Sequence, residues 1–304
     1  MPPHTQIEPA TIGQLSGWRV STPHGSALVA QQGAQLLSYT PTGGRPLIWL
    51  SEQAHLMPRM PVRGGIPICW PWFSTYARNP QAVHDSVAAP ADAPSHGWVR
   101  QADWQLAAQH IDADAADLEF GFTALPGFAP GWRHTAHLTL RMRFGSDIRL
   151  ALSVHNHGSQ AFTTALALHT YLAVSNSRHI EIHGLQGRDY LDMAHDWARH
   201  HQAGPVMLDG ETDRLYLDTT APVVLHDPGW RRKVHLQATH AASTVVWNPG
   251  AAKARRLDDL GHPAWQHMAC IETARILDGA LAIPAGASET VSLSIHWRPG
   301  AGET

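Results

Sequence analysis

Two residues of this chain combine a titratable side chain with apolar surroundings. His169 sits in A-L-A-L-H-T-Y-L-A, residues 165 to 173, and Glu272 in M-A-C-I-E-T-A, residues 268 to 274. An imidazole and a carboxylate are the groups that move protons in general acid–base catalysis. On a two-residue period, Leu166, Leu168, Thr170 and Leu172 share one strand face, and Ala165, Ala167, His169, Tyr171 and Ala173 the other. The second face is either a packing accommodation around a core histidine or the floor of a site. Glu272 follows an apolar run and shares a face with Cys270 and Met268. Burying its charge is costly, so it is either paired structurally or held at a raised pKa for use as a base.

Two further segments carry cations. R-G-G-I-P-I-C-W-P-W-F begins at Arg63, whose planar fork suits phosphate or carboxylate, beside two glycines that let a ligand approach the backbone. A tight Gly-Gly turn with a surface arginine reads equally well. S-H-G-W-V-R places His96 and Arg100 beside a glycine and a tryptophan, either a loop histidine with its needs met locally or part of a site. H-N-H at 155 to 157 and H-x4-H-H at 195 to 201 could supply imidazoles to a metal, but neither has an acidic or Cys partner at a zinc spacing, so no metal is expected. A G-x-S-x-G elbow, a P-loop and a dinucleotide fingerprint are all missing, and no cofactor is expected.

The elements that must hold these groups are strands. A-H-L-T-L-R-M-R-F alternates from Ala136 to Phe144, and after Gly145-Ser146-Asp147 the run I-R-L-A-L-S-V alternates again, which predicts a hairpin. Shorter runs at 26–39, 179–184, 221–226, 243–247, 268–273 and 289–297 are separated by Pro, Gly, Asn and Asp clusters. Only 252–260 is helix-permissive, and it lacks an apolar stripe. Many strands, little helix and no βαβ alternation predict an all-β antiparallel sandwich. A-A-P-A-D-A-P-S before His96 reads as a loop, so residues 1–304 are expected to form one domain.

Composition narrows the class of ligand. The chain has 304 residues, 43% of them hydrophobic and 15% charged, enough for a large core and too little charge for disorder. With 22 Lys+Arg against 25 Asp+Glu there is no basic field for nucleic acid, and a small ligand is expected. Two distant cysteines, Cys69 and Cys270, fit reduced thiols, M-P-P-H-T-Q-I-E-P-A has neither a basic nor an apolar signal region, and no segment reaches about 18 uninterrupted apolar residues. The expectation is a cytoplasmic monomer with no membrane partner. The 12 Trp and 22 His suit a sugar-binding cleft, although Trp is also a large core residue.

Taken in order, W-L-S (49–51) with R-G-G-I-P-I-C-W-P-W-F, H-G-W-V-R, A-L-H-T-Y-L-A-V, E-T-D-R-L-Y (211–216), V-V-W-N-P-G-A-A-K-A (245–254) and C-I-E-T-A resemble the aldose 1-epimerase superfamily, in particular its hexose-6-phosphate mutarotase branch. The resemblance spans about residues 15–297. It implies a galactose-mutarotase-like β-supersandwich acting on a hexose 6-phosphate, with His169 as general acid and Glu272 as general base. It further implies that Asp213 contacts sugar hydroxyls, that Arg63 and Arg100 bind the phosphate, and that His96 adds a sugar contact. Conversion between α and β anomers needs one base to deprotonate the C1 hydroxyl and one acid to protonate the ring oxygen, with no metal or nucleotide. For those roles Glu272 needs a raised pKa and His169 a protonated resting state. The same comparison implies an aldose 1-epimerase for unphosphorylated sugars, or a sugar-binding sandwich without chemistry, as rival readings.

Two positions depart from the family pattern: Ser95 stands where Gln is common before H-G, and Gly250 where W-N-P-W has its second aromatic. The first ~15 residues and the tail P-G-A-G-E-T are expected to be poorly ordered.

Overall fold

The computed structural model describes residues 4–299. Its two large sheets are antiparallel throughout and hold eight strands each. The sheet that carries the chemistry runs Ala198–His201, Asp189–Asp192, Thr212–Leu217, Ser243–Asn248, Met268–Arg275, Leu166–Leu168 and Ile68–Cys69, with Tyr171–Ala173 as a further partner of Met268–Arg275. The opposing sheet runs Glu181–His183, Val223–Asp227, Arg232–Thr239, Ser288–Pro299, Ile148–Asn156, Ala136–Phe144, Ala116–Ala124 and Gln105–Ile111. A four-stranded meander over Gln6–Pro41 and a two-stranded pair, Phe162–Thr164 with Leu281–Ile283, complete the strand pairing. Among the described residues the α-helices are two short ones, Gln81–Ser86 and Gly250–Ala254.

The predicted hairpin forms in continuous register from Ala136↔Asn156 to Phe144↔Ile148. Its apolar positions Leu138, Leu140, Met142, Leu150, Leu152 and Val154 are buried and meet Leu166, Leu168, Leu172, Val246 and Ile271 of the other sheet in one core. Fully burying a leucine contributes ~1.5–3 kcal/mol, so this core is what holds the site sheet flat against its partner. The far face of that sheet carries separate clusters: Cys69, Ala165, Ala167, Leu215, Val245 and Ala274 in one, and Tyr171, Trp247, Met268 and Cys270 in another. The face assignment read from the A-L-A-L-H-T-Y-L-A alternation therefore holds.

Several expectations are corrected. Residues 6–12 are not poorly ordered: Gln6–Ile12 pairs along its whole length with the Leu15–Thr22 strand, because Ile12 and Leu15 bury against Ala30, Leu37 and Val62. The tail from 300 onward lies outside the described residues. The run 26–39 is two strands, Gly25–Ala30 and Leu36–Pro41, which pair with each other. The helical part of 252–260 is Gly250–Ala254, beginning earlier and ending sooner. The Gln105–Ile111, Ala116–Ala124 and Arg232–Thr239 strands were not anticipated.

Candidate active site

The site is built where one strand breaks. Leu166–Leu168 and Tyr171–Ala173 both pair with Met268–Arg275, and His169 and Thr170 fall in the gap between them. There the His169 N–H donates to the Pro67 carbonyl at 3.0 Å, continuing the register with the Ile68–Cys69 strand, while the Thr170 carbonyl accepts from Ile271 N–H at 3.1 Å. Leu168 is paired with Thr273, so continuing the register brings His169 to Glu272. The His169 Nε2 and Glu272 Oε1 atoms are 3.3 Å apart, with the two residues 7% and 2% exposed. His169 Nδ1 and Glu272 Oε2 are buried with no partner among the described residues. Unmet polar groups at that depth are costly in a fold and typical of a site awaiting a ligand.

Aromatic and cationic groups frame this pair. The Tyr171 ring stacks on His169 with centroids 4.7 Å apart and planes 9° from parallel. Its hydroxyl accepts from Arg63 Nη1 at 3.2 Å, and Arg63 Nε donates to Asp259 Oδ1 at 3.1 Å. Arg63 Nη2 has no partner among the described residues. The Gly64-Gly65 turn that carries Arg63 here is required: a Cβ at Gly64 would lie 2.6 Å from Leu50 Cα, and one at Gly65 2.2 Å from the Leu36 carbonyl oxygen, with φ at +121° and +71°.

His96 adopts φ +66°, a left-handed conformation that costs a non-glycine residue about 1–3 kcal/mol. It is held by its N–H to the Ser74 carbonyl at 2.8 Å and by its own carbonyl, which accepts from Trp70 N–H at 3.2 Å. His96 Nδ1 accepts from Ser74 N–H at 3.2 Å, which leaves Nε2 as the protonated, donating nitrogen of a neutral ring. Burial, with Arg100, His169 and Arg63 adding to it, pushes its pKa well below the usual histidine range.

Arg63, His96, His169, Asp213 and Glu272 all line one cavity of about 260 Å³, with Phe73, Ser74, Ser95, Met193, Trp247, Lys253 and Leu257. That is just under the ~300–1,000 Å³ of pockets that take drug-sized ligands, and in keeping with a monosaccharide. Asp213 lies opposite Trp247 on the neighbouring strand. Its pKa is raised to about 7, chiefly by burial, with Lys253 opposing and Glu211 and Asp192 adding to the rise. Arg100 is placed differently from the other five: it does not line the cavity, and its Nη2 donates to the Ser95 carbonyl at 2.7 Å. From behind Ser95 it acts through its charge, depressing both histidines.

The expected protonated resting state of His169 is not what its surroundings favour. Burial, followed by the positive charges of Arg63 and Arg100, lowers its pKa to about 3. Burial, with Asp213 nearby, raises Glu272 well above the carboxylate range. Both shifts favour the uncharged form of each group, with the proton of the pair on the carboxyl.

Some functional candidates escaped the sequence reading. Tyr171 and Trp247 lay inside quoted motifs without a role, and Lys253, which pairs with Glu211 at 2.8 Å, sat in V-V-W-N-P-G-A-A-K-A. Asp259 had no local signal. Gly250, where the family pattern has an aromatic, has φ +60°, and a Cβ there would meet Glu211 N at 2.5 Å, so a side chain at this position would be strained.

The family model described as aldose 1-epimerase matches residues 18–296. A protein of Escherichia coli K12 named "Putative glucose-6-phosphate 1-epimerase" is 31% identical over 261 residues, covering 84% of this chain and 81% of its own length. A crystal structure of a "putative mutarotase" from Salmonella typhimurium superimposes with a TM-score of 0.87 at 27% identity, over 96% of this chain and 94% of that one. Galactose 1-epimerase from Lactobacillus acidophilus shares the fold alone, with a TM-score of 0.76 at 11% identity over 97% and 99% of the two chains. Sequence and fold agree on one conclusion: the chain belongs to the aldose 1-epimerase family.

Proposed function

We propose that this protein is a hexose-6-phosphate 1-epimerase, acting on glucose 6-phosphate by acid–base opening of the pyranose ring. The observation that carries the reading is the 3.3 Å contact between His169 Nε2 and Glu272 Oε1 in a cavity of about 260 Å³ that also holds Arg63. The C1 hydroxyl and the ring oxygen are attached to the same carbon, so two adjacent proton-carrying groups can address both at once.

The proton inventory is consistent. As the sugar docks, the carboxyl proton passes from Glu272 to His169 across their contact, giving a carboxylate base and an imidazolium acid. Glu272 then takes the C1 hydroxyl proton, His169 gives its proton to the ring oxygen, and the C1–O5 bond breaks to leave the aldehyde. That step returns Glu272 to the carboxyl form and His169 to the neutral form, the protonation state that burial favours. Rotation about C1–C2 and the reverse transfers close the ring as the other anomer. Asp213 and the His96 Nε2–H are assigned to sugar hydroxyls, and Arg63 Nη2, with Lys253 of the same cavity, to the phosphate. Arg100, expected to bind phosphate directly, is assigned an electrostatic part in its present position.

A second reading, an epimerase for unphosphorylated sugars, is favoured by one feature: Asp259 and Glu211 already partner Arg63 and Lys253. The working state proposed is one domain acting alone in the cytoplasm. In support, one core joins residues from Val20 to Ile295, both cysteines are free and buried, and no helix among the described residues is long and apolar enough to cross a membrane.

The test is anomer exchange, followed by NMR on freshly dissolved α-glucose 6-phosphate and on α-glucose. The reading expects a much larger kcat/KM for the phosphorylated sugar, and Arg63→Ala should erase that preference. Equal acceleration of both sugars would favour the second reading, and acceleration of neither would overturn both.

A further inference from the structure

The outward face of the opposing sheet carries a cluster that the epimerase reading does not use. Glu181 and His183 stand two apart on the Glu181–His183 strand, so both point to the same side, and His226 on Val223–Asp227 lies directly across from Glu181. His183 Nε2 is 2.9 Å and His226 Nδ1 4.0 Å from Glu181 Oε2. One ligand atom from each of the three residues lies within 4.8 Å of the others. Ligand atoms around a tetrahedral Zn²⁺ with bonds of ~2.0–2.1 Å are about 3.3 Å apart, so small rotamer changes close this set on a cation. Glu181 is 42% exposed and each histidine 39%, within reach of solvent while anchored on paired strands.

We propose that Glu181, His183 and His226 form a binding site for a late first-row divalent cation such as Zn²⁺, clasping the edge strand of this sheet to its neighbour. Two imidazoles and one carboxylate suit Zn²⁺, Ni²⁺ or Cu²⁺ and disfavour Mg²⁺ or Ca²⁺, which want oxygen. Three protein ligands leave a fourth position for water. Gln186 steadies the ring: its Nε2 is 3.2 Å from His183 Nδ1, and its Oε1 accepts from Gly184 N–H at 2.7 Å. On capture Nε2 faces the cation and the ring proton sits on Nδ1, toward Gln186 Oε1 once that amide turns over and releases Gly184 N–H. Lys233, across from His226 on the next strand, is exposed and can swing clear of the cation. The edge strand is three residues long, paired with Val223–Asp227 and bridged to Val206, with Ile182 in the core, and a cation joining the two strands on their outer face adds to that anchoring.

The histidine runs that drew attention in the sequence do not make such a set. His155 contacts Ser288, His195 contacts Asp192 and His201 contacts Asp189 instead. The cluster was invisible in sequence because its third ligand comes from a different strand.

The experiment is titration of the metal-free full chain with Co²⁺ and Zn²⁺, reading the visible absorption of Co²⁺, the calorimetric stoichiometry with Zn²⁺ and the melting temperature. The expected result is one site per chain with a four-coordinate Co²⁺ spectrum and a raised melting temperature. His183→Ala and His226→Ala should weaken it roughly 10–100-fold or more, and the control His155→Ala should leave it intact. No stoichiometric binding, or binding that survives both ligand substitutions or is lost in the control, would overturn the proposal.

Discussion

His169 Nε2 and Glu272 Oε1 approach to 3.3 Å because the register that pairs Leu168 with Thr273 and Tyr171 with Cys270 sets the two residues opposite each other. The contact joins two groups that burial drives toward neutrality from opposite sides, and the account of catalysis follows from that.

The pH profile should be broad. With one proton on the pair, activity falls only when His169 also gains a proton or Glu272 loses its own. The acid limb of kcat/KM should therefore lie well below the ordinary histidine value of about 6.5, since His169 of the free protein is lowered to about 3. Running the profile with glucose as well separates the substrate phosphate, which titrates near about pH 6. An acid limb at an ordinary histidine pKa with both sugars would contradict the assignment.

Asp213 makes a stability prediction with a definite sign. Its folded pKa of about 7 exceeds the unfolded value of 3.8, so the fold favours the protonated form. That contribution is complete below the unfolded pKa and is lost as pH rises through the folded one. Asp213→Asn should melt with the wild type near about pH 4 and progressively above it as pH rises, levelling off past neutrality. A gain of about 2–4 °C is expected for each 1 kcal/mol relieved. Equal melting points at all pH values would show that Asp213 is not held in this state.

Asp259 should act as a positioning residue for Arg63. Its single contact fixes the guanidinium that the proposal aims at the phosphate. Removing one charge-assisted hydrogen bond, worth ~1.5–3 kcal/mol, should raise KM for glucose 6-phosphate about 10-fold or more in Asp259→Ala. KM for glucose and kcat for both sugars should change little; a fall in kcat with KM unchanged would point to a different role.

Leu168→Ala tests whether the core positions the site. Leu168 is fully buried between the sheets, one residue before His169. The substitution should cost ~2–5 kcal/mol, measured by denaturant unfolding. A loss below the cost of a surface substitution would mean that the core face is misassigned.

Much of this was legible in the residues themselves. The 136–156 hairpin followed from alternation alone, and A-L-A-L-H-T-Y-L-A gave the correct faces because leucines and alanines segregate on a period of two. Of the cavity's five sequence candidates, Arg63, His96, His169 and Glu272 stand out locally as polar groups beside glycines or apolar residues, whereas Asp213 came only from the resemblance to the family. What escaped depends on distant partners. Asp259 matters only because the fold brings it to Arg63, and Arg100 turns to the Ser95 carbonyl through loop geometry that no spacing encodes. The His169 protonation state escapes the sequence for the same reason, since its burial, and after it the charges of Arg63 and Arg100, depend on residues far along the chain.

The most direct measurement of the central claim compares wild type, His169→Ala, Glu272→Gln and the double variant in α-glucose 6-phosphate anomer exchange by NMR. If the two side chains work as one proton-carrying unit, each single change lowers kcat about 10²–10⁴-fold, and the double variant is little worse than either single. Acceleration by either single variant equal to that of the wild type would contradict the account.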